Sequence, residues 1–165
     1  MARNNEVTID TRLGQRSIDM DKAVHFPRGL AGFETERDFI LLQIRPEAPL
    51  LILQSVHTPQ VGLLVADPYS FLDKSYAPVL GPAERQLLQL ENPDEAVLLV
   101  TVSIPVGAPE QAALNLTGPI FINHKVRLGV QVPQCVEGPQ QINMHTLQPV
   151  QPVQPVQPSV AAPTD

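Results

Sequence analysis

The residue types that most often carry chemistry are sparse and widely spaced in this sequence. Cys135 is the single cysteine, and its neighbours Gln134 and Val136 supply no base that would deprotonate a thiol. No Gly-x-Ser-x-Gly elbow marks a serine nucleophile. A helical metal site needs ligands three or four positions apart, and on predicted helices none of the four histidines meets that spacing: His25, His57, His124 and His145. We therefore predict a binding protein rather than an enzyme, with no catalytic residue, metal or cofactor.

Two weaker patterns indicate structure rather than chemistry. His57 lies ten residues before Asp67 across a predicted hairpin, so the side chains could meet, but two groups make a poor metal site. We expect a surface histidine there. Gly29-Leu30-Ala31-Gly32 lacks the strand-turn-helix setting and the Lys-Ser/Thr pair of a phosphate loop. Its glycines predict a tight turn with positive φ.

The charge balance argues against direct nucleic-acid binding. The formal net charge is −6 at pH 7, and a negative field repels phosphate while it attracts basic partners. The basic residues are scattered, and the chain has no Trp to stack on bases. An acidic patch at the end of a predicted helix would suit a basic partner, although a solvated loop is the favoured interpretation: Glu91, Asp94 and Glu95.

The sequence also predicts a cytoplasmic protein without a membrane partner. The N-terminal residues Met1–Glu6 are polar and lack the apolar core of a signal peptide. The longest apolar runs fall short of the roughly 20 residues that a membrane helix needs. A free thiol suits a reducing compartment.

Short apolar segments separated by turn residues are typical of an antiparallel β fold, so the chain is predicted to be mostly β. The clearest strand is Ala96–Ile104, which is rich in Val and Leu. In Val126–Val132 apolar residues alternate with Arg127, Gly129 and Gln131, which predicts that these three face water. The other predicted strands are Val7–Asp10, Ser17–Met20, Ala23–Phe26, Phe39–Ile44, Leu50–Val56, Val61–Ala66, Leu114–Leu116 and Ile120–Asn123.

One helix is predicted from Pro82 to Leu90. Proline suits the first helical position, the following residues are good helix formers, and Asn92-Pro93 ends the helix. Leu87 and Leu90 share one face, so the helix is expected to cover an opening in the sheet. A weaker pattern indicates a second helical turn near Phe71–Ser75.

The C-terminal segment has a different composition from the rest of the chain. We predict a β domain over residues 1–136 and a disordered, extended Gln/Pro/Val-rich tail over residues 137–165. Prolines at a period of three favour polyproline II and exclude a helix or central strand. A solvated tail is the favoured interpretation, and a docking ligand for a proline-binding partner is the alternative. The periodic prolines are Pro149, Pro152, Pro155 and Pro158.

Six phrases occur in order along the predicted domain, from about Val7 to Val132. They are Thr11-Arg12-Leu13-Gly14, Phe26-Pro27-Arg28-Gly29-Leu30-Ala31-Gly32-Phe33, Leu53-Gln54-Ser55, Val65-Ala66-Asp67-Pro68, Leu114-Asn115-Leu116-Thr117-Gly118-Pro119-Ile120 and Gly129-Val130-Gln131-Val132. Their ordered set resembles the bacterial flagellar assembly factor FliW family. The chain departs from that family's usual pattern in four places. The family usually has Phe at the position of Leu13, Pro at that of Ala31, an acidic residue near His57 and Ala at the position of Gly118.

The resemblance implies a small antiparallel β-barrel-like domain that acts as a switch between two protein partners. One partner is flagellin. The other is carbon storage regulator A (CsrA), an RNA-binding repressor of flagellin mRNA translation. When free of flagellin, a protein of this kind binds CsrA and relieves the repression.

The matched phrases also suggest which residues contact a partner. Their apolar members Phe26, Leu30 and Phe33 are interpreted as core, and their glycines as turns. Tyrosine is enriched in binding hot spots, so two tyrosines near Asp67 join the polar candidates. For Asn115 the alternative is a side chain that satisfies local backbone groups. The predicted partner-binding residues are Gln54, Ser55, Asp67, Tyr69, Tyr76, Asn115 and Gln131.

Three other functions compete with this hypothesis. A general interaction or chaperone module would dock through its proline-rich tail, and deletion of residues 140–165 would then abolish binding. An enzyme would need a barrel pocket with convergent polar groups. A nucleic-acid binder would bind RNA by itself in a salt-sensitive way.

Overall fold

Ten strands and one short helix make up the part of the chain that the computed structural model describes, residues 6–44, 49–72, 76–92, 95–108, 111–134 and 141–143. The helix α1 spans Pro82–Leu87. The strands are β1 Glu6–Thr11, β2 Gly14–Asp19, β3 Val24–His25, β4 Asp38–Gln43, β5 Leu50–Ser55, β6 Gly62–Ala66, β7 Ala96–Ser103, β8 Ala113–Asn123, β9 Leu128–Gln131 and β10 Gln141–Asn143.

Seven of these strands close a barrel. Their order is β8-β7-β6-β5-β4-β3-β9, and β9 pairs again with β8. Neighbours are antiparallel except β3 and β9, which pair in parallel at His25 and Leu128. The strands β1 and β2 form a separate hairpin, and β10 adds to the edge of β8. The predicted mostly-β, barrel-like fold is confirmed.

Strand β8 is continuous where the sequence predicted two strands separated by Gly118-Pro119. The register between β7 and β8 shifts between Leu99 and Thr101, so β8 bulges there. Proline cannot donate to a strand ladder, and a bulge is one of the few places in a sheet that tolerates it. The Pro119 carbonyl still accepts a hydrogen bond from the Val132 amide at 3.0 Å.

The barrel interior holds the main apolar core. Phe26 and Phe39 meet edge to face, with ring centroids 5.5 Å apart and planes at 83°, an arrangement that aromatic pairs favour. A Cβ on Gly129 would lie 2.5 Å from the Phe26 ring, so only glycine fits where β9 passes this side chain. The buried members of the core are Val24, Phe26, Leu30, Phe39, Leu53, Val65, Leu99, Ile120 and Ile122, with Phe33 packed against them.

Strand β9 contradicts the predicted assignment of faces. Gly129, predicted to face water, is buried and pairs with Ile122 inside the barrel. Val130 faces the other way and packs with Phe121 beneath α1. Val126, predicted to face the core, is 41% exposed in the turn before the strand. Because both faces of β9 are covered, the alternation in the sequence could not identify a wet face.

Helix α1 packs on the outer face of β8 and β9 rather than over an opening in the sheet. Its deepest contact is Leu88, which is fully buried in a cluster with Phe121 and Val130. Leu87 and Leu90, the predicted contact residues, are only partly buried. Both pack against the same cluster, and the buried residue that the sequence did not predict is Leu88, just past the helix end at Leu87.

The end of α1 is held by the barrel wall. Gln89 adopts a left-handed φ of 57°, which stops the helix. Asn123, at 2% exposure, donates from Nδ2 to the Leu88 carbonyl at 2.8 Å. A buried amide therefore replaces the hydrogen-bond partner that the helix end lacks.

The remaining predictions concern the second helical turn and the tail. A 3-10 turn forms at Pro68–Ser70, just before the predicted turn near Phe71–Ser75. Strand β10 lies within the segment predicted as tail, and the boundary at residue 136 stays a prediction. Cys135, His145 and the Gln-Pro-Val repeats lie outside the described residues.

Candidate functional site

Three of the predicted partner-binding residues lie together in one segment, which we call the tyrosine segment: residues 67–72 and Tyr76. Asp67 is exposed, and its Oδ1 accepts the Tyr69 amide at 2.9 Å, which caps the 3-10 turn. The Tyr69 hydroxyl donates to the Tyr76 carbonyl. The Tyr76 hydroxyl donates in turn to the Leu116 carbonyl of β8 at 2.8 Å. The two phenols thus fasten the segment to the barrel wall.

Apolar packing holds the same segment in place. Phe71 is buried, and Leu72 and Tyr76 are partly buried, against a second apolar cluster outside the barrel core. That cluster is formed by side chains of β6, β7 and β8: Ala66, Val100, Val102, Leu114 and Leu116. Both tyrosines therefore lie half-buried, and Tyr76 packs against this cluster.

Burial changes the acidity of both phenols. It raises the pKa of Tyr76 to about 12, with a smaller contribution from Tyr69. Burial also raises the pKa of Tyr69, and the negative charge of Asp67 adds to that effect. Both phenols stay protonated at neutral pH, so each remains a hydrogen-bond donor.

Asn115 lies on β8 beside this segment but on the opposite face of the strand. Its neighbours Leu114 and Leu116 belong to the cluster beneath the tyrosines. Its own Nδ2 donates to Thr101 Oγ1 and to Ser103 Oγ, both at 3.0 Å. The alternative interpretation expected backbone partners, whereas these partners are side chains on the neighbouring strand β7.

Gln54 is fully buried and organises the β5–β6 connection. Its Oε1 accepts the Arg12 amide at 3.0 Å, which joins the β1–β2 hairpin to the barrel. Its Nε2 lies 3.1 Å from the carbonyl oxygens of Ser55, Pro59 and Val61. The side chain has no surface to offer, so any effect on binding would act through the loop that it holds.

Ser55 is also fully buried and shapes the same loop. Its Oγ accepts the Thr58 amide at 3.0 Å and donates to Glu36 Oε1 at 2.6 Å. Hydrogen bonds from Ser55 and Thr58 lower the pKa of Glu36, and the nearby His57 lowers it further. Glu36 therefore stays ionised as a fixed acceptor for the loop.

Gln131 joins two segments that are distant in sequence. Its Oε1 accepts the Ala31 amide at 2.8 Å, and its Nε2 donates to the Gly118 carbonyl at 2.9 Å. Ala31 sits in the glycine turn, where Gly29 and Gly32 have φ of 67° and 85°. The predicted turn is confirmed, and a Cβ on Gly29 would lie 2.5 Å from the Glu34 carbonyl oxygen.

The structure thus divides the seven predicted residues among three places. The tyrosine segment packs on one face of β8, and Asn115 lies on the other. Gln54 and Ser55 hold the β5–β6 loop, and Gln131 holds the glycine turn. Their roles as partner contacts stay predictions.

Two features were missed by the sequence reasoning. His57 meets Asp38 at 3.5 Å rather than Asp67, and His25 meets the same carboxylate at 2.9 Å. The pairing of β3 with β4 produces this arrangement, which residue spacing alone did not reveal.

Ile104 and Val106, in the β7–β8 loop, are 43% and 103% exposed, and we call residues 104–108 the apolar tip.

Glu95 accepts from Lys125 Nζ at 2.9 Å, so this member of the predicted acidic patch is paired. Among the residues that the structure describes, no cluster of three or more His, Cys, Asp or Glu could hold a metal ion. Within the same ranges no helix is long and apolar enough to cross a membrane.

Comparison with known proteins identifies the family. A family model described as FliW protein matches residues 7–145. The chain belongs to the FliW family of flagellar assembly factors. A flagellar assembly factor FliW from Desulfovibrio desulfuricans is 68% identical over the full length of both chains. One from Nitratidesulfovibrio vulgaris is 58% identical over 88% of this chain and 84% of the relative.

The fold agrees with that assignment. A crystal structure of the flagellar assembly factor FliW superposes with a TM-score of 0.76 at 31% identity, over 84% of this chain and 96% of that one. FliW is a family of flagellar assembly factors. The match reaches residue 145, so the family pattern extends through β10, beyond the predicted domain boundary at 136.

Proposed function

We propose that this protein binds flagellin in the cytoplasm and, when free of flagellin, binds and antagonises the translational regulator CsrA. Repression of flagellin mRNA is relieved while flagellin is being exported, and it returns when flagellin accumulates and occupies the protein. Membership of the FliW family across residues 7–145 carries this proposal.

The charge of the chain supports the second partner. A net charge of −6 favours association with a basic RNA-binding protein, because opposite fields steer the two molecules together. The same charge disfavours direct contact with mRNA. The protein would then act on translation only through the regulator.

The tyrosine segment is the proposed contact surface. It combines an exposed carboxylate on Asp67 with two half-buried phenols that are firmly anchored. Rigid amphipathic rings lose little conformational entropy on binding and are common at interface hot spots. Asn115 lies on the opposite face of β8, so it would contribute a separate contact at the edge of this surface.

Gln54, Ser55 and Gln131 would contribute indirectly. Each of these side chains fixes a loop through hydrogen bonds to backbone groups. Their substitution would move the loop and lower affinity together with stability. Asp67→Asn, which keeps an oxygen for the Tyr69 amide, would lower affinity alone.

A competition assay with purified proteins tests the proposed function. Labelled CsrA should bind the full-length protein, and added flagellin should displace it. The protein should also weaken the binding of CsrA to a flagellin mRNA leader, while binding no RNA itself. Failure to bind either protein would contradict the proposal.

Asp67→Asn provides a matched variant for the surface. It retains a side-chain oxygen for the Tyr69 cap but removes the charge, so stability should change little while affinity for the basic regulator falls. Glu34→Gln is the control, because it removes one carboxylate charge outside the tyrosine segment. Equal losses of affinity in the two variants would indicate a general charge effect and would exclude this surface.

A further inference from the structure

The β1–β2 hairpin is attached to the barrel through its turn. Within the described ranges its two strands pair only with each other, so no sheet ladder joins the hairpin to the barrel. Arg12 in the turn donates from its amide to Gln54 Oε1 at 3.0 Å and from Nη1 to the Gly62 carbonyl at 2.8 Å. The contact is close, because a Cβ on Gly62 would lie 2.9 Å from Gln54 Oε1 and 3.0 Å from Arg12 Cδ.

The same Gln54 side chain holds the β5–β6 loop. Its Nε2 lies 3.1 Å from the carbonyl oxygens of Pro59 and Val61. The loop is also fixed to the segment before β4, because Thr58 Oγ1 donates to Glu36 Oε2 at 2.8 Å. One side-chain amide therefore serves two segments of the chain, the hairpin through its oxygen and the loop through its nitrogen.

This shared amide makes the two contacts interdependent. A glutamine side chain loses rotamer freedom when it is fixed, and here that loss is shared by both sets of hydrogen bonds. Gln54 is fully buried with the hairpin in place, so water does not compete for the loop carbonyls. Release of Arg12 would free the side chain and admit water, and the loop would lose its fixed donor.

Both segments offer accessible surface, whereas the amide that joins them does not. Arg12 and Gly14 are exposed in the hairpin turn, and His57 and Pro59 are exposed in the loop. A partner could therefore contact either segment without touching Gln54. Two accessible segments that share one buried support can influence each other's order.

We propose that the β1–β2 hairpin and the β5–β6 loop form one conformational switch, coupled by the Gln54 side-chain amide. Both are ordered while Arg12 is docked, and both loosen when it is released. A protein that binds the hairpin turn would order the loop, and a protein that binds the loop would hold the hairpin, since coupling of this kind is reciprocal. Gln54 thereby positions a surface that it does not reach.

Hydrogen exchange in the full-length protein tests the coupling from the hairpin side. Gly14→Val strains the turn, because Gly14 has a φ of 96°, while its Cβ would meet nothing within 4 Å. The Thr58 and Val61 amides, which bond Ser55 Oγ and the Thr58 carbonyl, should exchange about ten-fold faster than in wild type. Amides that join β7 and β8 should exchange as in wild type, which separates local opening from global unfolding.

Gly107→Val is the matched control for this substitution. Gly107 lies in the apolar tip with a φ of 78°, and its Cβ would also meet nothing within 4 Å. The same kind of strain is therefore placed in a different turn. Exchange at Thr58 and Val61 should stay at the wild-type rate in this variant.

The reverse experiment starts from the loop. Thr58→Val removes the hydroxyl that bonds Glu36 and keeps a β-branched side chain. The Arg12 and Leu13 amides should then exchange about three-fold faster or more. In a Gln54→Met background, which keeps a long side chain without an amide, each substitution should affect its own segment alone.

Unchanged exchange at Thr58 and Val61 in Gly14→Val would overturn the proposal, and so would the same acceleration in Gly107→Val. Coupling that persists in the Gln54→Met background would also contradict it. If Gln54→Met does not fold, reciprocity decides, because an effect that runs in one direction only is incompatible with a shared amide. Flagellin and CsrA are absent from these assays, so their outcome is independent of the competition experiment.

Discussion

The two halves of β8 differ in how they are covered. The C-terminal half, around Phe121 and Ile122, lies between β7 and β9 and beneath α1, with apolar contacts on both faces. The N-terminal half, Ala113–Leu116, lies between β7 and the short β10, beside an exposed loop. The C-terminal half is thus buried on both faces, whereas the N-terminal half is buried on one face, at Leu114 and Leu116, and only half-buried on the other, at Asn115. Substitutions should therefore cost stability at the first end and affinity at the second.

The largest loss of stability is expected from Leu88→Ala. The Leu88 side chain packs on the C-terminal half of β8. Leu88 is fully buried against Phe121 and Val130. Removing its side chain should lower the free energy of unfolding by about 2–5 kcal/mol. Urea denaturation measures the change. Leu90→Ala, at a partly buried position, is the control and should cost less; equal losses would contradict the assigned packing.

Gly129→Ala should also lower stability, because Gly129 on β9 pairs with Ile122 in the C-terminal half of β8. The cause here is overpacking rather than a cavity. The new Cβ would lie 2.5 Å from Phe26, whose ring is held against Phe39. The expected loss is about 1–3 kcal/mol, measured by thermal or urea unfolding. Gly14→Ala is an informative comparison, because its positive φ is strained but its Cβ would meet nothing within 4 Å. Wild-type stability in Gly129→Ala would mean that Phe26 can move aside.

Tyr76→Phe probes the N-terminal half. It removes the hydrogen bond to the Leu116 carbonyl and keeps the ring, so stability should fall by about 1 kcal/mol. Wild type should also lose stability at high pH. The folded pKa of Tyr76, about 12, exceeds the ordinary tyrosine pKa of 10.0, so the contribution is complete below the lower value and disappears as pH rises through the upper one.

Tyrosinate absorbance can follow this titration directly, because the chain contains two tyrosines and no Trp. Two transitions above the ordinary tyrosine range are expected in wild type, and one in Tyr76→Phe. An ordinary tyrosine pKa at both positions would show that neither phenol is fastened to the barrel as described.

The smallest effect on stability is expected from Asn115→Ala. The side chain bonds Thr101 and Ser103 on the neighbouring strand, and its loss should cost about 1 kcal/mol or less. Affinity for flagellin or CsrA, measured by titration calorimetry, should fall by more than this if Asn115 is a contact. Thr101→Val removes one partner of the same hydrogen bond and controls for local loosening. Matching losses of affinity in the two variants would remove Asn115 from the proposed surface.

Much of the fold was predictable because strands and helix are local patterns. Pro82 marked the start of α1, and the Val- and Leu-rich segment from Ala96 marked β7. The faces of β9 were not predictable, since a strand buried on both sides alternates without a wet face. The continuity of β8 through Pro119 depends on a bulge against β7, which is a property of strand pairing rather than of local sequence.

The candidate site was harder to predict for a similar reason. Gln54 is polar and lies in a family phrase, yet its partners come from Arg12 and from a loop that folds back over it. Hydrogen bonds over such separations leave no mark in residue spacing. Asp67 and Tyr69 were easier, because a capping carboxylate and the amide it accepts are two residues apart. The sequence therefore identified the tyrosine segment, whose cap is local, but could not distinguish its exposed residues from buried ones such as Gln54 that fix distant loops.

The Arg12–Gln54 hydrogen bond has a consequence for the order of events during synthesis of the chain. The β1–β2 hairpin forms its own two-stranded sheet, and an isolated hairpin is at best marginally stable in water. The Gln54 side chain, whose Oε1 accepts the Arg12 amide, lies 42 positions after Arg12. The Gly62 carbonyl, which accepts from Arg12 Nη1 at 2.8 Å, lies 50 positions after it. The hairpin can thus be secured only after the β5–β6 turn has left the ribosome.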